Sequence, residues 1–484
     1  MRTRINSFVG GACIEQGDAL MSVHSPNAGE DGVDMPDSSE GVVDLAVQSS
    51  RRAYQDGRRA SVATRAALLM QAAAALEQGS AEIAELIVRD VGKPIRSATF
   101  EVGRGVQLLR GCAAEIKSLK GEVLPLDSVD AGAGHFGFTR RIPYGVVGAV
   151  TPFNAPVNLL LQKVGPALVM GNAVVVKPHP AGARVAVAVA QLFAQAGLPA
   201  GLFNVVLGDR TAASALAAHG GVDAFTFAGG TVAGYPLARA AGAKKFVAEL
   251  GSNAANIVMA DAHIADAAKR IAAAAFEASG QQCISAQRVL VEHSQYDTFM
   301  EHFIRAARAL KVGDPWDKNS DIGPMISAAA ADRLLSWIDE AVGAGANYVL
   351  RAHRDGCLVS PAIVEGVTRS CALWRDEAFG PVAVGQRFDG IDEAIVSRAG
   401  VPAQSAVLLF LELLSRADLL VAHNIAFDRL VLLGQLERQE LFTSCQFLQT
   451  FKPFCTMRAA TPLCRIPHKR PRHPTDYKWP TLSE

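Results

Sequence analysis

The sequence carries no net charge: 47 Lys and Arg balance 47 Asp and Glu. That argues against a broad basic surface of the kind that lies along nucleic acid. Cysteine is sparse, with eight in 484 residues at irregular spacings and no CxxC pair. This excludes a disulfide framework and a zinc ribbon as sources of stability, and reads as free thiols in a reducing compartment. No apolar run is long enough for a membrane span. The strongest candidates, NLLLQKVGPALVMGNAVVVK and AVLLFLELL, are interrupted or too short. The first residues, MRTRINSFVGGACIEQ, have no apolar core of signal-peptide length. A soluble, cytoplasmic protein is the expectation.

What is present is ample core-forming material. Half of the residues are apolar and 19% are charged, enough for two or three domains at this length. Helical spacing of small apolar residues runs near 42–57, 61–88 and 97–117. From about residue 145 short β-rich runs take over: GVVGAV, AVVVK, FNVVL, AFTF, KFVAEL, ANIVM and RVLVE. Helical stretches at 181–196, 211–219 and 264–278 separate several of them. Strand alternating with helix predicts an α/β fold with a mostly parallel sheet covered on both faces. Ligands of such sheets sit at the carboxyl ends of strands.

Several residues at those ends carry useful chemistry. Cys283, in SGQQCISAQR, is either a nucleophile or a small apolar filler. Glu249 ends a strand in VAELGSNAANIV and could serve as a base facing a cleft, or as a surface charge. Asn154, in VTPFNAPVN, offers a neutral donor to an oxyanion, or satisfies turn backbone groups. Lys177 ends the strand of GNAVVVKPHP, and Gly229 and Gly230 open a helix where backbone can approach a pyrophosphate. Glu377 precedes Phe379 and Gly380 in DEAFGPV.

In this order and spacing the motifs resemble the aldehyde dehydrogenase superfamily, from about Ile5 to about Ile395. INSFVGG and VGDPWDKNSDIGPMIS belong to the resemblance, and ELGSNAANIV and GQQCISAQR look closest to the branch that handles small aldehydes. The resemblance implies a Rossmann-type cofactor domain over 1–249, with a bridging hairpin near 120–145, and a catalytic domain over 250–395. It implies Cys283 as nucleophile, Asn154 as oxyanion donor and Glu249 as the base for deacylation. The cofactor would be NAD or NADP, held by Val150, Thr151, Pro152, Phe153, Lys177, Gly229, Gly230, Leu250, Gly251, Glu377 and Phe379. No metal is implied. Two positions depart from the pattern. Gly230 stands where a serine usually touches the pyrophosphate. Pro180 stands where many NAD-preferring members carry Glu, so no carboxylate there repels a 2′-phosphate.

After FDGIDEAI the chain departs from the family. Its Asn-rich and SG-x-G segments are missing, so the catalytic domain is expected to be incomplete. The segment 396–484 carries ADLLVAHNIAFDRLVL, which is similar to the second motif of DnaQ-like (DEDD) 3′–5′ exonucleases at His423, Asn424 and Asp428. The D-x-E and H-x4-D motifs of that family are absent, so a helix N-cap is the better role for Asp428. Its basic end, with seven Lys and Arg from Phe451 onward against two acids, gives a nucleic-acid reading only slight support. The expected chain is an oxidoreductase of a small aldehyde, with an inactive chimeric relic as the alternative. The junction is expected to cost stability and to weaken any homo-oligomer, because lost strands expose apolar sheet edges.

Overall fold

The computed structural model describes residues 2–15 and 18–388, and the backbone of two short strands further along. Met1–Phe388 is one compact unit and Asp389–Glu484 a second. In the second unit Leu420–Ala422 pairs in parallel with Pro453–Cys455. The exonuclease-like motif at His423, Asn424 and Asp428 lies outside the described residues.

The first unit is organised by two sheets. Five parallel strands, Val146–Thr151, Ala173–Pro178, Phe203–Val205, Ala224–Ala228 and Lys245–Glu249, form most of a seven-stranded sheet. Phe8–Val9 and Ala12–Cys13 add antiparallel strands at one edge. Val146–Thr151 and Ala173–Pro178 are buried throughout and largely apolar without alternation because both faces are covered, whereas the edge strand Lys245–Glu249 is mostly exposed. Within Ala173–Pro178, Val174 and Val176 join one core and Val175 joins the other, as a side-chain period of two requires. Helices Val62–Gln78, Ser80–Val91, Ile95–Glu115, Asn158–Val169 and Ala183–Gln195 build the first core. Glu40–Gly57, Arg210–Ala218 and Thr231–Ala241 cover the second.

The chain moves outward from Val146–Thr151 in one direction, then returns to place Ala224–Ala228 on its other side. The order of the strands therefore reverses between those two, and the crevice beyond their carboxyl ends is a ligand site by topology. The expected boundary at residue 249 falls inside the first unit, between its two main sheets. The second sheet has five strands, ordered Ala255–Val258, Arg288–Glu292, Val382–Phe388, Ala362–Glu365 and Asn347–Leu350. All neighbours are parallel except the last pair.

Two expectations change. The single helix over 61–88 is two helices, because Gly79 closes the first and precedes the second and glycine is a weak helix former. The helix expected over 264–278 stops at Phe276, and Ala278 and Ser279 turn left-handed. The hairpin near 120–145 is a two-stranded ribbon, Val123–Leu124 against Gly137–Phe138, and Val123, Phe136, Phe138 and Ile142 on it are exposed. Among the described residues no helix is long and apolar enough to cross a membrane.

Candidate active site

Cys283 follows a strained turn. Ala278, Ser279 and Gly280 have φ of 49°, 60° and 67°, a region that disfavours residues with a Cβ. The turn is nevertheless over-determined. The buried Ser279 hydroxyl donates to the Gly323 carbonyl at 2.7 Å. The Gln281 side-chain oxygen accepts from the Ile326 N–H at 2.9 Å. A Cβ at Gly280 would lie 2.1 Å from the Gly380 carbonyl oxygen, so only glycine lets the nucleophile turn approach the 379–381 segment this closely. Asn154 is buried on the loop after Val146–Thr151 and lines a small cavity with Lys93, Ala278, Ser279 and Gln281.

Around the thiol stand two carboxylates from distant parts of the chain. Burial pushes the half-buried Cys283 thiol up, and the negative charges of Glu377 and Glu249 push the same way, against a backbone hydrogen bond that lowers it. The resting sulfur is therefore a thiol at neutral pH. Glu377 is itself raised by burial, offset by the Ser252 N–H and by Arg333. The Ser252 N–H donates to it at 3.2 Å, and a Cβ at Gly251 would fall 2.3 Å from its Oε2. Removing one of the charges gives a direct check. Glu377→Gln should lower the thiol pKa and speed alkylation of Cys283 near neutral pH. Alkylation followed by peptide mass spectrometry, showing no change in rate, would disprove the electrostatic contact.

Several of the expected cofactor residues lie at or just beyond the carboxyl ends of the first sheet's strands. Val150 and Thr151 pair in register with Lys177 and Pro178, and the His179 N–H donates to the Thr151 carbonyl at 2.7 Å. Pro152 and Phe153 continue from that strand end. Phe153 meets Phe379 edge-on at 5.9 Å and also contacts His179 at 5.1 Å. Phe379 is held at φ 50°. Lys177 is buried, and burial pushes it down to about 8, opposed by Asp209 and Asp37. The Gly229 N–H donates to the Glu249 carbonyl at 3.1 Å, Gly230 precedes helix Thr231–Ala241, and Leu250 packs on Gly234 of that helix. An amine at a strand end and a glycine pair at a helix start suit the ribose and pyrophosphate of a nicotinamide dinucleotide.

Sequence reading missed three members of this region. Lys163 is buried within helix Asn158–Val169, bonded to the Thr226 hydroxyl at 3.2 Å. Burial pushes its amine down to about 8, and the charge of Glu249 opposes that. The signal was a lone lysine inside NLLLQKVGPALV. Arg333 donates to the Ala378 carbonyl at 2.8 Å and covers the Trp337 ring at 4.7 Å. Gln287 is buried and bonds three backbone groups of the 373–378 segment. Neither of these two carried a recognisable signal, because their partners lie on segments far along the chain.

Residues 14–400 match the aldehyde dehydrogenase family. An aldehyde-dehydrogenase-like protein of Sinorhizobium fredii is 37% identical over 78% of this chain and 74% of its own length. Aspartate-semialdehyde dehydrogenase 1 of Pseudomonas canavaninivorans is 39% identical over 66% of this chain and 68% of its own. Among solved structures, the NADP-dependent glyceraldehyde-3-phosphate dehydrogenase of Bacillus halodurans C-125, complexed with NADP, superposes with a TM-score of 0.78 at 34% identity. That likeness covers 81% of this chain and 83% of the other. With the α/β architecture and the crevice described above, these likenesses establish that the chain belongs to the aldehyde dehydrogenase family.

Proposed function

We propose that the protein oxidises a small aldehyde to its carboxylic acid with NAD or NADP, through a covalent intermediate on Cys283. The observation that carries this is the left-handed turn Ala278–Gly280 just before Cys283, which brings Ser279 and Gln281 to one small cavity with Asn154. The named relatives support the substrate class. Aspartate semialdehyde and glyceraldehyde 3-phosphate are both short aldehydes bearing an acid group. That makes short acidic aldehydes the first substrates to test.

In this reading Cys283 gives its proton to solvent water and the resulting thiolate sulfur adds to the aldehyde carbon. The carbonyl oxygen becomes an oxyanion, and the Asn154 amide donates to it. Preorganised donation where charge develops is the largest single contribution in such chemistry. The bound nicotinamide supplies the acceptor for the hydride that leaves the same carbon. Cys283 then carries a thioester. Glu249 removes a proton from water, the water oxygen attacks the thioester carbon, and Cys283 leaves as thiolate with the acid released. Lys177 would bond ribose hydroxyls, Gly229 and Gly230 would approach the pyrophosphate, and Glu377 would accept from the nicotinamide ribose. Pro180 adds no carboxylate against a 2′-phosphate, so both cofactors belong in the assay.

Asn154→Ala is expected to lower kcat by about 10²–10³ with little change in cofactor KM, the usual consequence of losing one oxyanion donor. Steady-state reduction of NAD and NADP with short acidic aldehydes measures it. A variant with wild-type kcat would remove Asn154 from the chemistry.

A further inference from the structure

One side-chain amide bonds the backbone on both sides of Glu377. Gln287 is 4% exposed and begins the approach to strand Arg288–Glu292. Its Nε2 donates to the carbonyls of Leu373 at 3.1 Å and Asp376 at 3.0 Å. Its Oε1 accepts from the Ala378 N–H at 2.7 Å. The residues on both sides of Glu377 are thus pinned by the same side chain. Asn253 adds a second grip, donating to the carbonyls of Trp374 at 2.9 Å and Asp376 at 3.0 Å. In the other direction Gln287 is tied to the nucleophile turn. Its N–H donates to the Ser285 carbonyl at 2.9 Å, and the Ser285 hydroxyl donates to the Gly280 carbonyl at 3.1 Å.

We infer that Gln287 is a positioning residue that couples the Glu377–Phe379 segment to Cys283, so that cofactor held by that segment fixes the nucleophile. The inference rests on the roles proposed above for Cys283 and Glu377. A buried amide suits this task because it offers two donors and an acceptor in one plane, and all are used. No other side chain of that size matches the set. Methionine has none of it, and a glutamate would keep an acceptor for Ala378 while its charge faced two carbonyl oxygens. Desolvation raises the pKa of such a carboxyl, and its protonated form regains one donor.

Two variants and one measurement on the wild type test this. Gln287→Met should raise cofactor KM by at least about tenfold, the scale of losing one or two net hydrogen bonds. It should also abolish the effect of NAD or NADP on the rate at which Cys283 is alkylated. Gln287→Glu should gain activity relative to wild type as the pH falls from about 8 to about 6, because protonation restores a donor. A folded Gln287→Met enzyme with wild-type cofactor KM and a cofactor-sensitive Cys283 would overturn the inference. If that variant does not fold, hydrogen exchange on the wild type decides. Added NAD or NADP should slow exchange in 372–380 and in 281–288 together, and slowing confined to 372–380 would overturn it. Absence of aldehyde oxidation by the wild-type protein counts against the proposed function, whereas the exchange measurement needs only cofactor binding and judges the coupling separately.

Discussion

Cys283→Ala is expected to abolish aldehyde-dependent reduction of NAD and NADP, with a fall in kcat on the order of 10⁶, the scale seen when a covalent nucleophile is removed. The side chain is small and only half-buried, so the fold should survive its loss. Circular dichroism and cofactor binding would verify that. The physical basis is that a thiol splits one difficult step into two easier ones and leaves no substitute when it is gone. Four other described cysteines, Cys13, Cys112, Cys357 and Cys371, are free. Burial alone raises the Cys112 thiol. Burial also raises Cys357, with Arg354 opposing and Asp332 adding to it. Neither thiol faces a pair of carboxylates as Cys283 does. Turnover that persists in Cys283→Ala would therefore assign the chemistry to a different mechanism rather than to either of these thiols.

Glu249→Gln should separate the two halves of the reaction. Acylation needs the thiol and the oxyanion donor, whereas deacylation needs a base for water. The variant is expected to release about one equivalent of reduced cofactor per site and then stall, with steady-state kcat lower by about 10²–10⁴. Intact-mass spectrometry of the stalled protein should find an acyl group on Cys283. The exposed position of Glu249 at the end of strand Lys245–Glu249 allows the substitution without a packing cost. Loss of both burst and turnover would move Glu249 into the first half-reaction. A full steady-state rate would exclude it from the second.

Much of the architecture was legible in local patterns. The runs AVVVK, AFTF and KFVAEL occur as strands Ala173–Pro178, Ala224–Ala228 and Lys245–Glu249. The first two could be read because strands buried on both faces need uninterrupted apolar residues; the third is a mostly exposed edge strand and was legible from its β-prone Phe246 and Val247. The stop at Phe276 could not be read this way. The Ala-rich pattern of 264–278 continues helically in sequence, and ties such as those from Ser279 to Gly323, from Gln281 to Ile326 and from Ser285 to Gly280 hold the residues after the helix in their left-handed turn. Tertiary hydrogen bonds there override local propensity.

The chemistry of the candidate residues was likewise fixed by residue type. A thiol, two carboxylates, an amide and an amine at loop and strand ends are what acyl transfer and dinucleotide binding require, and their order along the chain was enough to suggest a family. Their ionisation was not. Lys163 and Lys177 are ordinary cations in the sequence, and both are pushed down to about 8 only because the fold buries them. Glu377 reaches the Ser252 N–H across a separation of 125 residues, and nothing local to DEAFGPV indicates that. Side-chain chemistry and periodicity are properties of a residue and its near neighbours, so the sequence alone determined the strands, helices and reactive groups of this protein. Desolvation and contact between distant segments arise only when the sheets assemble, so the tertiary structure decided which charges surround Cys283 and what holds them there.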